Sequence, residues 1–143
     1  MKEVNDFLND YEEVISEIRE KVVPQIIKND LLPGYTRPTL AQIDKHIMSL
    51  LRNNVTEDTT VLLIAYGVIL GETIIKNIEE AKWLYEAPNI QLVRVQLTDG
   101  EDPIYALPIQ RVVNLFKTKD RSKSIVRYYD NIIKDYKDKC AAS

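Results

Sequence analysis

Apolar residues recur at helical spacing over residues 3–22, at Val4, Phe7 or Leu8, Tyr11, Val14 or Ile15, Ile18 and Val22, which predicts an amphipathic first helix. Pro24 lacks a backbone donor and crowds the preceding turn, so this helix is expected to kink or restart there. The prolines and glycine of Leu31–Pro38 break any period and predict a loop. Thr39 followed by Gln42 has the form of a capping box. It opens a second helix over about Leu40–Arg52, with Leu40, Ile43, Ile47, Leu50 and Leu51 on one face. Asn53, Asn54 and Val55 make a tight connection, and Thr56 caps a third helix that runs to about Glu80. Glu57 and Asp58 complement the helix dipole in its first turn. Within that helix Val61–Ile78 shows no polar face, and its first charge is Glu72. A helix apolar on every side is buried on every side, so this one should be the rod around which the domain packs.

Alternation replaces the helical period after it. Lys82–Glu86 is a short strand candidate, and Val93, Val95 and Leu97 alternate with Leu92, Arg94 and Gln96. Asp99-Gly100 is a hairpin signal, and Ile104–Leu107 is the return strand, with Pro103 at its start. Pro108 suits the first turn of a helix whose inner face is Ile109, Val112, Val113 and Phe116. A final helix runs from Ser122 to about Lys139, with Ile125, Tyr128 or Tyr129, Ile132 and Tyr136 as its stripe. The expected architecture is α+β in one domain over residues 1–143. It comprises three N-terminal helices with the third buried, a three-stranded antiparallel meander and two C-terminal helices.

Charge adds a polarity to this plan. The net charge is −3, yet residues 1–30 hold eight acidic against four basic side chains, and residues 117–139 hold eight basic against four acidic. The two ends are expected to be solvated faces that lie near each other or meet a second subunit. The acidic balance disfavours nucleic acid as a partner. The basic final helix, with Arg121, Lys123, Arg127, Tyr128 and Tyr129, is the better nucleic-acid candidate within the chain. The two helices joined through Asn53–Val55 resemble a helix-turn-helix only in connection length, because an apolar second helix opening on Glu57 and Asp58 would repel phosphate. The single cysteine, Cys140, rules out an internal disulfide. No signal-like N-terminus is visible and the uncharged run Thr59–Gly71 is shorter than a span, so a cytoplasmic protein with no membrane contact is expected. Cys140-Ala141-Ala142-Ser143 fits a prenylation pattern, but the stretch Lys134–Lys139 before it is not polybasic, so a frayed tail is the expectation.

Four residues stand out as candidate binding groups. Glu72 follows Gly71 in apolar surroundings and must be paired, protonated or at the helix edge. Arg94 and Arg111 are the partners considered for it, in a structural ion pair or in a ligand-binding or acid–base site. Trp83 is either a core plug at the helix–strand junction or an aromatic anchor on a partner surface. Gly67 and Gly71 share a face, and each costs about 1 kcal/mol against alanine, so close approach of a helix or the sheet is expected there. His46 has no second histidine or cysteine beside it and no triad neighbourhood, and the four glycines never cluster. No metal, no cofactor and no catalytic residue is therefore assigned.

The run Tyr66-Gly67, Leu70-Gly71-Glu72, then Trp83, a hairpin and Pro108 resembles a family of small bacterial domains of uncharacterised function. In that family a helix bearing L-G-E precedes a tryptophan and a short sheet, and some members occur near toxin–immunity genes. The resemblance covers about Thr56–Phe116 and implies a bacterial non-enzyme with no catalytic residues to carry over. The expected function is a protein-interaction module, immunity proteins being one such type, with a protein partner or self-association. The alternative is a small-molecule binder or enzyme using Glu72 with Arg94 or Arg111.

Overall fold

A computed structural model describes residues 9–50 and 55–142. The expected helix positions Val4, Phe7 and Leu8, and the connection through Asn53 and Asn54, lie outside the described residues. The chain begins with β1 (Asn9–Asp10) and α1 (Glu12–Glu17), then a π turn (Ile18–Val22) and α2 (Val23–Asn29). Asp10 occupies a strand, not the expected first helix, and its carboxylate accepts from the Glu12 backbone N–H at 3.0 Å. The break expected at Pro24 takes the form of the π turn. Widening Ile18–Val22 lets Pro24 fall in the first turn of α2, where no donor is required.

Helix α3 (Arg37–Ser49) starts three residues earlier than its sequence suggests. Its cap is Thr36, whose side chain accepts from the Thr39 N–H at 3.4 Å, and Pro38 sits harmlessly in the first turn. Helix α4 (Glu57–Asn77) is capped by Thr56 as expected, through the Thr59 N–H at 3.2 Å. Its 21 residues are long and apolar enough to cross a bilayer, so the shortness of the uncharged run does not exclude a span. In this fold Leu63, Ala65–Leu70, Gly71, Thr73 and Ile74 are buried against protein, which makes α4 the central rod.

Three short strands, β2 (Lys82–Leu84), β4 (Arg94–Gln96) and β5 (Tyr105–Ala106), form an antiparallel sheet in the order β2-β4-β5. Trp83 pairs with Val95 and Val95 with Ala106, so these three side chains share the buried face. The strand expected from Gln91 is shorter, because Ile90–Leu92 is a 3₁₀ turn. A further strand, β3 (Glu86–Ala87), pairs with β1 in a separate two-stranded ladder. The architecture is α+β.

Helix α5 (Pro108–Thr118) begins at its proline, buries Ile109, Val112, Val113 and Phe116, and packs along α4 more extensively than any other element. Gly67 and Gly71 allow this. A Cβ on Gly67 would stand 2.6 Å from the Ile109 Cα, and one on Gly71 would stand 2.3 Å from the Trp83 ring. One glycine therefore admits a helix and the other admits the sheet. After a 3₁₀ turn (Arg121–Lys123), α6 (Ile125–Ala142) closes the domain and carries Cys140 in its last turn, where a frayed tail was expected.

Candidate functional site

Two polar constellations can be built from the described residues. The first surrounds Glu72, which leaves α4 one residue after Gly71. Gly71 lets the Trp83 indole lie directly on α4, and this brings its N–H to Glu72 Oε2 at 2.8 Å. Glu72 Oε1 faces Arg19 Nη1 at 3.6 Å. The π turn delivers Arg19 to this point, and its other nitrogen donates to Ser16 Oγ at 3.2 Å. Desolvation opposes the charge on Arg19, but hydrogen bonding to Tyr85 and the charge of Glu72 outweigh it, so the guanidinium sits above its ordinary pKa. Burial first, and Glu72 second, push the Tyr35 phenol up as well. Trp83 and Tyr85 stack with centroids 6.2 Å apart. Glu72 is 19% exposed and Arg19 26%. Both carboxylate oxygens are engaged, one by the sheet and one by the N-terminal helical stretch, so Glu72 ties three elements together.

The two arginines considered for Glu72 lie elsewhere. Arg94, on the outer face of the sheet, stacks 4.5 Å above the Tyr105 ring. Arg111 stacks 4.5 Å above the Tyr128 ring, and the Tyr128 hydroxyl accepts from the Leu107 N–H at 2.9 Å. Trp83 is 8% exposed. It shares a surface recess of about 470 Å³ with Arg94, Asp10, Glu12 and Tyr85, while Arg111 is not part of that recess. Sequence reasoning missed Arg19. Its signal was a guanidinium immediately after Ile18, on the inward edge of an amphipathic helix.

The second constellation is a cleft of about 700 Å³ among α3, α5 and α6. Its apolar floor is Met48, Leu115 and Val126, and its charged wall is Arg37, Lys45, Arg121 and Arg127 with Asp44 and Asp130. Neither carboxylate is left over. Asp44 accepts from Ser124 Oγ at 2.6 Å and from the Ile125 and Val126 N–H groups at 2.8 and 3.2 Å, so a side chain of α3 caps α6. Asp130 receives a two-pronged bond from Arg37, at 2.9 and 2.8 Å. That bond holds Asp130 below the ordinary carboxylate value and Arg37 above its own. Among the described residues, no ion pair engages Lys45, Arg121 or Arg127. Arg127 lies near Asp120, whose carboxyl is lowered chiefly by its bonds to Ser122 and to a smaller degree by that charge. The acidic and basic ends of the chain do not pair with each other among these residues. Arg19 goes to α4, and Asp130 of the basic end goes to α3.

His46 Nδ1 hydrogen-bonds the Tyr66 hydroxyl at the edge of a small recess with Asp30, Leu32 and Gln42. Burial pushes the Tyr66 phenol up, so it stays protonated. Among the described residues, no group of three or more His, Cys, Asp and Glu side chains is placed to hold a metal ion. No family model, no curated protein and no solved structure matches this chain.

Proposed function

We propose that this chain is a bacterial, cytoplasmic, non-enzymatic protein-interaction module whose contact face is the cleft among α3, α5 and α6. One observation carries the proposal. The cleft's own carboxylates are consumed by internal bonds, while Lys45, Arg121 and Arg127 are left facing an apolar floor. Charged groups around an apolar centre are the anatomy of a protein contact patch. The saturated surroundings of Glu72 support a scaffold role for that residue, since a carboxylate with both oxygens engaged offers little to a ligand. The immunity-type assignment rests on the L-G-E and tryptophan resemblance alone.

The test is in-cell photo-crosslinking of the full chain. A photoreactive residue at Met48 should trap a defined protein species that the same residue at Lys134, on the exposed side of α6, does not. Equal yields from the two positions would end the proposal.

A further inference from the structure

The chemistry of the cleft goes further than its existence. We infer that it receives a short acidic segment of a partner protein, with carboxylates reaching Lys45, Arg121 and Arg127 and an apolar side chain on the Met48–Leu115–Val126 floor. This inference rests on the interaction-module proposal and adds the identity of the bound group.

Three features select carboxylates on a peptide over phosphates on a nucleic acid. The first is the fate of the helix terminus. A phosphate site at the start of a helix uses the free N–H groups of its first turn. In α6 those of Ile125 and Val126 are already taken by Asp44, so only side-chain cations remain. The second is the floor. Met48 and Val126 are half-buried, and Leu115 is wholly buried beneath them. A run of phosphates and sugars would leave that apolar surface wet, whereas a peptide can alternate anions with apolar side chains. The third is the pairing already present on the rim. Arg37 grips Asp130 through both of its oxygens, the geometry a guanidinium offers a carboxylate. Arg121 and Arg127 line the same wall with no ion pair of their own among the described residues. Four cations against two carboxylates leave the cleft lining with a positive balance within a chain of net charge −3, which favours an acidic segment there.

The probe is a fluorescent octapeptide of alternating Glu and Leu, followed by anisotropy against the full chain. Its counterpart with Gln for Glu and an eight-nucleotide thymidine strand serve as controls. The Glu/Leu peptide should bind, the Gln/Leu peptide at least about tenfold more weakly, and the double variant Lys45→Glu/Arg121→Glu at least about tenfold more weakly again. The milder Lys45→Gln/Arg121→Gln pair should lose part of that affinity, and unchanged thermal melting shows that both variants are folded. Affinity that ignores these substitutions would overturn the site. Tighter binding of the thymidine strand, lost in the same variants, would overturn the carboxylate assignment in favour of nucleic acid. If the peptide fails while crosslinking from Met48 persists, the acidic-segment inference falls and the interaction module stands. If crosslinking fails as well, both fall.

Discussion

Replacing Gly67 by alanine sets two magnitudes against each other. Neither Gly67 nor Gly71 adopts a left-handed backbone, so an alanine fits the helix and should gain about 1 kcal/mol of propensity. The added Cβ on residue 67 would stand 2.6 Å from both the Cα and the Cγ1 of Ile109. Backbone cannot swing aside, so α5 must move off α4 as a unit, along the most extensive contact in the fold. Overpacking of this kind costs about 1–3 kcal/mol and sometimes more. A rigid helix pair belongs at the upper end, which leaves a net loss of about 2 kcal/mol and a fall in melting temperature of roughly 5–10 °C for a chain of this size. Gly71→Ala should cost a similar amount for a different reason. Its Cβ would meet Trp83 Cζ2 and Cη2 at 2.3 and 2.4 Å, and that ring is held by Glu72 and stacked on Tyr85. The two cases separate in double-mutant cycles followed by urea denaturation and circular dichroism. Trp83→Leu removes the clashing ring and should recover about 1–2 kcal/mol in the Gly71→Ala background. Ile109→Ala keeps the offending Cα and should recover much less in the Gly67→Ala background. If Gly67→Ala melted higher than the parent, propensity would have won, and the close packing of α4 on α5 would be refuted.

Three other outcomes are expected. Asp44→Ala should destabilise the domain by about 1–2 kcal/mol in urea, because α6 loses a cap from a distant helix; a change below about 0.3 kcal/mol would refute that role. Asp130→Asn should lower stability at neutral pH only. Its folded pKa is depressed by Arg37, so its contribution is present above the unfolded value near 3.8 and vanishes as pH falls through the folded value; melts of parent and variant should therefore differ at pH 7 and coincide at the acid end. Glu72→Gln keeps an acceptor for the Trp83 N–H but loses the charge facing Arg19; it should cost about 1–2 kcal/mol, perturb tryptophan fluorescence and leave crosslinking from Met48 intact.

Much of this fold is legible in the chain because its signals are local. Thr56 caps α4, Pro108 opens α5, and Val93, Val95 and Leu97 all point inward, as their spacing dictates. Where the structure departs from expectation, a local signal met a tertiary one. Asp10 joins a strand because Glu86 offers it a ladder across a long sequence separation. Pro24 is absorbed by a π turn, since burying Ile15, Ile18 and Val23 on one side favours a widened helix over a broken one. Glu72 was identifiable from its surroundings, but its partner was not. Periodicity places Arg19 on a helix edge without saying which element that edge will meet.

The cleft was harder to see for a physical reason that also bears on its use. Because α4 is apolar on every side, it spends its surface on packing and leaves polar work to the outer elements. These are α3 and, far from it in sequence, the adjoining 3₁₀ turn and α6. Lys45 and Arg121 read as ordinary solvated charges within their own segments, and only the capping of α6 by Asp44 brings them to one wall. Those bonds turn both Asp44 oxygens toward the start of α6, yet the carboxylate keeps its charge within the cleft. The residue that assembles the cleft thus also subtracts from its positive charge. Asp44→Asn sharpens the consequence: its amide oxygen can still accept a hydrogen bond, but the cleft loses a negative charge, so binding of the Glu/Leu peptide should tighten even as the domain becomes less stable. Affinity and stability moving down together in that variant would mean that the carboxylate holds the cleft's shape and that its charge has no part in recognition.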